Sequence, residues 1–110
     1  MNTQGANLPV NDREILRAKL NLETAQLDWK ALERHFARGS VIKVAVGMDL
    51  IEAALHVAEN NTATVQAWLA DGGIARAEAS DAEEWHSRQS VFWVVVVAPW
   101  VLVQEFKPPQ

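Results

Sequence analysis

Glu52 and His56 stand four residues apart with Glu59 three further on, a spacing that aligns all three on one helical face and could present two metal ligands. A metal site needs a third and usually a fourth ligand. The other histidines, His35 and His86, fall in separate segments with no second histidine beside them. The stripe therefore reads as a polar face, and no metal or other cofactor is expected. Ser40, Ser80, Ser87 and Ser90 are the hydroxyls available for nucleophilic catalysis, and none sits in a Gly-x-Ser-x-Gly elbow. His86 beside Glu83, Glu84 and Trp85 could move a proton, but a short polar helix exposes such groups as a matter of course. Val46-Gly47-Met48-Asp49 leads from a strand into a helix N-terminus, where amides could hold an anion. It lacks a phosphate-loop glycine pattern, and Asp49 would repel a phosphate. No catalytic residue is assigned, and a non-enzymatic protein is favoured over an enzyme.

Binding surfaces are better represented. Of the five tryptophans, Trp29, Trp68 and Trp85 read as core anchors. Trp93 and Trp100 lie seven apart, on opposite faces of a regular strand, unless Pro99 introduces a bulge. Trp93 and Trp100 with Glu52 and His56 form the candidate lining of a small-molecule pocket. A second candidate surface joins the leucine stripe Leu16, Leu20 and Leu27 to the basic row Lys30, Arg34 and Arg38, and would dock an acidic partner or a second copy.

The elements that must position these residues are legible from caps and periodicity. Asn11 with Glu14 resembles a capping box, and Gly39 is placed to stop a helix of about 25 residues. Ile15, Ala18, Leu22, Ala25, Trp29, Leu32 and Phe36 make its expected inward seam. Val41 to Val46 alternates as a strand. Asp49 with Glu52 opens a largely apolar helix from Leu50 to about Asn60, and Asn61 or Thr62 caps a third helix stopped at Gly72-Gly73, with Val65, Trp68 and Leu69 inward. Ile74 to Ala77 reads as a short strand, and Ser80 with Glu83 opens a fourth helix of one or two turns anchored by Trp85. Val91 to Val103 is 13 residues of unbroken apolar sequence, against the roughly 20 that a membrane-spanning helix requires. Its valines and Pro99 make it a strand with two apolar faces, bent or bulged at Pro99 and continuing from Trp100 to Phe106.

These elements predict an α+β fold. A small, mostly parallel sheet of about three strands, the last in the middle, is packed by a long N-terminal helix and two to three shorter ones. One domain is expected over 11–106, with tails at 1–10 and 107–110. The composition fits, with 110 residues, 49% hydrophobic and 22% charged, and the lack of cysteine removes disulfides and thiol chemistry. The net charge of −4 argues against nucleic acid. It is uneven: residues 1–47 hold seven basic and five acidic side chains, a net of +2, while residues 48–110 carry a net of −6. Met1 to Val10 lacks the basic start and apolar core of a signal peptide, so a cytoplasmic protein without membrane attachment is expected.

Leu20-Asn-Leu-Glu-Thr-Ala-Gln-Leu-Asp-Trp29, Ala37-Arg38-Gly39 and, most specifically, Phe92-Trp-Val-Val-Val-Val-Ala-Pro-Trp-Val-Leu-Val-Gln-Glu105 resemble a family of small bacterial proteins known as domain of unknown function 2288. The resemblance runs over about 12–106. It implies a bacterial, cytoplasmic, single-domain protein and brings no reaction, ligand or site residue. With so few helices to cover both faces of the Val91 to Val103 strand, a homodimer is expected, formed through that strand's second face, the second stripe of the long helix, or both. The leading functional expectation is a protein-interaction or regulatory module acting as a homo-oligomer. The alternative is a small-molecule-binding protein or enzyme with a Trp-lined pocket.

Overall fold

The long helix expected between Asn11 and Gly39 is two helices with a strand between them. Helix α1 (Asp12–Glu23) starts at Asn11, whose side chain accepts from the Glu14 amide at 2.8 Å, as the sequence indicated. It stops at Thr24, whose hydroxyl turns back onto the Leu20 carbonyl at 2.7 Å while its backbone goes extended. Strand β1 (Ala25–Asp28) follows, and Asp28 then caps helix α2 (Trp29–Ala37) by accepting from the Ala31 amide at 2.9 Å. Gly39, at a φ of +74°, ends the turn after α2.

The remaining elements are β2 (Val41–Val44), α3 (Leu50–Ala58), α4 (Thr62–Asp71), β3 (Ile74–Arg76), α5 (Ala79–Arg88), β4 (Val91–Val97) and β5 (Trp100–Phe106). The structure is a computed structural model and describes residues 11–106; the expected tails at 1–10 and 107–110 lie outside the described residues. Asp49 caps α3 by accepting from the Ile51 and Glu52 amides. Helix α5 is longer than its sequence suggested, because Glu78 and Asp81 form the capping box rather than Ser80 and Glu83.

All five strands form one sheet in the order β1-β4-β5-β2-β3. Only β2 and β5 run parallel; the other pairs are antiparallel. The expectation of about three mostly parallel strands is thus overturned. Two features account for the difference. The apolar tract at the C-terminus is not one bent strand but a hairpin, with Val97 opposite Trp100 and only Ala98 and Pro99 between them, and so short a connection can join only antiparallel strands. The residues of β1, counted as helix from their spacing, pair with β4 instead.

The hairpin has two apolar faces, and the same chain packs helices on both, leaving Trp93 on one and Val96 on the other exposed, 37% and 53%. On the first, Leu20 of α1 and Leu50, Ala53, Ala54 and Leu55 of α3 pack against Ile42, Val44, Ile74, Val95 and Leu102, with Val65 and Trp68 of α4 half-buried beside them. On the second, Trp29 and Leu32 of α2 and Trp85 of α5 pack against Val41, Phe92, Val94, Val101 and Val103. Trp85 meets Phe92 edge-on with ring centroids 4.9 Å apart, and Trp29 lies 5.9 Å from Trp85. Breaking the N-terminal helix at Thr24 is what makes this possible, because β1 carries the chain across the sheet edge and gives one helix to each face. One chain thus supplies helices to both faces, which weakens the ground for expecting a dimer but leaves Val96 and Trp93 exposed.

The same break reverses the expected phase of α1. Leu20 is buried and Leu16 packs on the first core, whereas Ile15 and Leu22 of the expected seam point outward, 55% and 87% exposed. Beyond the break the seam behaves as read, with Trp29 and Leu32 buried and Phe36 packed beside them. On α4, Leu69 is exposed rather than inward.

Candidate functional site

Glu52 and His56 of α3 are brought together with two arginines of α1. Arg17 pairs with Glu52 at 2.8 Å, and Arg13 reaches Glu52 at 3.4 Å and Glu59 at 3.0 Å. His56 Nε2 lies 3.3 Å from Glu52 Oε1 and 3.2 Å from Arg13 Nη2, while Nδ1 lies 2.9 Å from the Asn61 amide nitrogen. The ring edge meets Trp68 of α4 at 5.1 Å. The hydrogen bond from Arg17, helped by the charge of both arginines, holds the Glu52 carboxyl below its ordinary value despite some desolvation. The bond to Glu59 correspondingly raises Arg13. The group is a clamp between α1 and α3 whose polar atoms are occupied by one another. Among the described residues no group of three or more His, Asp or Glu side chains could hold a metal ion.

Of the four candidate pocket residues, Trp100 is the one that lines the hollows beside α3 and α4. It is the first residue of β5, points to the sheet face carrying α3 and α4, and stands between two hollows whose walls share Val57, Val65 and Trp100 itself. The larger, about 460 Å³, runs under the Ala98-Pro99 turn and is rimmed by Asn60, Thr62 and Gln66. The smaller, about 210 Å³, is walled by Ile42, Val57, Val65, Leu69, Ile74 and Trp100 and closed on one side by Arg76. The Arg76 guanidinium carbon is 5.4 Å from the Trp100 ring centroid, and its Nη2 donates to the Gly39 carbonyl at 2.6 Å. Apolar walls with a few convergent polar groups are the usual makeup of a small-molecule site.

The sequence-derived pocket is accordingly split. Glu52 and His56 belong to the clamp and line neither hollow. Trp93, 37% exposed, packs against Phe106 at 5.5 Å. The hairpin sets Trp93 and Trp100 on the same sheet face, opposite Gln104 and Val97 respectively, and so about 13 Å apart along the strands at 3.3 Å per residue.

The second candidate surface is also divided. Leu16 and Leu20 pack toward the first core, Leu27 packs on the second, and Lys30, Arg34 and Arg38 are exposed along α2. Lys30 and Arg34 border a shallow depression with Ala31, Glu33 and Ala37. Sequence reasoning missed Arg76, Gly39, Asn60, Thr62 and Gln66, since only the pairing of β2 with β3 and β5 brings the first two to Trp100. Arg13 and Arg17 carried a weak signal, because two arginines interrupting a leucine stripe on a packed helix need acidic partners.

Fold and site together define an α+β protein with a mixed five-stranded sheet, helices on both of its faces and a recess beside Trp100. The chain belongs to the family described as "Protein of unknown function (DUF2288)", whose pattern it matches over residues 15–105. It is similar to PA1075 from Pseudomonas aeruginosa, whose solution structure was determined by NMR, with 37% sequence identity and a TM-score of 0.76 over 91% of this chain and 93% of that one. No curated protein matches the chain. Among the described residues no helix is long and apolar enough to cross a membrane.

Proposed function

We propose that the chain is a non-enzymatic small-molecule-binding protein and that the recess around Trp100 is its site. The observation that carries this reading is the shared wall of Val57, Val65 and Trp100, which joins an apolar hollow to a polar-rimmed one. Trp100 offers a large flat surface with few rotatable bonds, so little conformational entropy is lost when a ligand settles on it. A fragment screen followed by amide and indole NMR shifts tests the reading. Hits that move Val57, Val65 and Trp100, and disappear in Trp100→Ala, support it. Hits confined to other surfaces, or none at all, contradict it.

A second reading, a self-associating interaction module, rests on a different observation. Ile15 and Leu22 expose an apolar stripe on the outer face of α1, and the outer edge of β1 has no strand neighbour among the described residues. Light scattering at tens of micromolar separates the two readings. A dimer that Leu22→Glu converts to monomer supports this second reading, and a monomer throughout removes it.

A further inference from the structure

Arg76 differs from several other arginines of the chain in how its charge is met. Arg13 and Arg17 are neutralised by Glu52 and Glu59, and Arg88 by Glu84 and Glu105. Arg76 has no carboxylate partner among the described residues. Its one hydrogen bond is to a carbonyl, that of Gly39, and its guanidinium lies against the Trp100 ring. A guanidinium carries five N–H donors in a planar fork that matches a carboxylate. Held from one side by the Gly39 carbonyl and laid on the indole, the fork loses little freedom when it takes a second partner.

Arg76 is also the one charged residue lining the smaller hollow, and the rim of the larger one is polar but uncharged. The recess thus presents a single positive charge at one end, an apolar middle and neutral hydrogen-bonding groups at the other. The smaller hollow, about 210 Å³, exceeds the roughly 150 Å³ that suffices for a benzene ring in an apolar protein cavity. One cation suits a monoanion, and a doubly charged phosphate would keep a charge unmatched against the apolar wall.

Building on the small-molecule reading above, we infer that the ligand is a monocarboxylate bearing one apolar ring or a short alkyl body. The carboxylate sits on Arg76, and the body lies along Trp100 between Val57, Val65 and Leu69. Any hydroxyl or amide the ligand carries meets Asn60, Thr62 or Gln66.

The test titrates the chain with 3-phenylpropionate and, separately, with the uncharged 3-phenylpropan-1-ol, following amide and indole NMR shifts in wild type, Arg76→Met and Arg76→Lys. The acid is expected to bind about tenfold more tightly than the alcohol in wild type, the size of one partly exposed charge-assisted contact. Arg76→Met keeps an apolar stem and should bring acid and alcohol level, with the acid losing about tenfold more affinity than the alcohol. Arg76→Lys should retain part of the preference. Preserved shift dispersion in each variant confirms that the fold survives. Equal binding of acid and alcohol at Trp100 in wild type overturns the carboxylate assignment while the site stands. Acid shifts that map to Lys30, Arg34 and Arg38 instead also overturn it. Failure of both compounds to move Trp100 overturns the assignment and the small-molecule reading together.

Discussion

Arg17 of α1 and Glu52 of α3 form an ion pair of 2.8 Å that, with Arg13, Glu59 and His56, ties the first helix to the layer covering the sheet. The pair is partly exposed, so its contribution is modest, about 0.2–1 kcal/mol for a bridge of this kind. Its pH dependence has a definite sign. Because the folded chain holds Glu52 below its ordinary carboxyl value of 4.5, the stabilisation is fully present above that value and is lost as pH falls through the lower, folded-state value. Thermal melting between pH 7 and pH 3 should show Glu52→Gln less stable than wild type at neutral pH and converging with it in acid. A gap that does not narrow as the pH is lowered would contradict the assignment.

Neighbouring residues of β4 should respond very differently to truncation. Phe92 is fully buried against Trp85, whereas Trp93 turns to the other face and is partly exposed. Phe92→Ala is expected to cost about 3–5 kcal/mol in urea denaturation. Trp93→Ala should cost clearly less, although its side chain is larger.

The broken N-terminal helix gives the same kind of contrast on α1. Leu22 is exposed and Leu20 is buried two residues earlier. Leu22→Ala should leave the urea midpoint of the monomer within about 0.5 kcal/mol of wild type, while Leu20→Ala should cost about 2–5 kcal/mol. A single long helix using the Ile15, Ala18 and Leu22 seam would reverse this order.

Gly39 serves both the fold and the recess. A Cβ there would sit 3.2 Å from Arg76 Nη2, on a backbone whose φ of +74° disfavours side chains. Gly39→Ala is expected to destabilise the chain by about 1–2 kcal/mol and to displace the guanidinium from Trp100. Chemical denaturation together with the Trp100 indole shift checks both effects.

The residues show why the sequence was readable in parts. Asn11, Asp49 and the Gly39 stop are local devices, and each worked where it was expected. The helix break was hidden because Ala25 and Trp29 continue the three-four spacing of Ile15, Ala18 and Leu22, so periodicity alone could not see Thr24 and Asp28 as an exit and a new cap. Pro99 was legible as an interruption, but a bend and a full reversal carry the same local signal, and only the facing of Val97 and Trp100 distinguishes them. Arg76 and Gly39 lie 37 positions apart and both meet at Trp100 through strand pairing, which leaves no mark on local sequence. Glu52 and His56 kept their shared face as spacing required, and the arginines of α1 pair with that face, which local spacing could not reveal.

The account turns on Trp100 lining the recess between α3, α4 and the hairpin, whose walls include none of the other four tryptophans. Following the five indole N–H resonances during a titration with 3-phenylpropionate tests this most directly. The predicted result is a saturable shift of Trp100, with Trp29, Trp85 and Trp93 unmoved. A titration in which Trp93 responds and Trp100 stays still, or in which no indole moves, would contradict it.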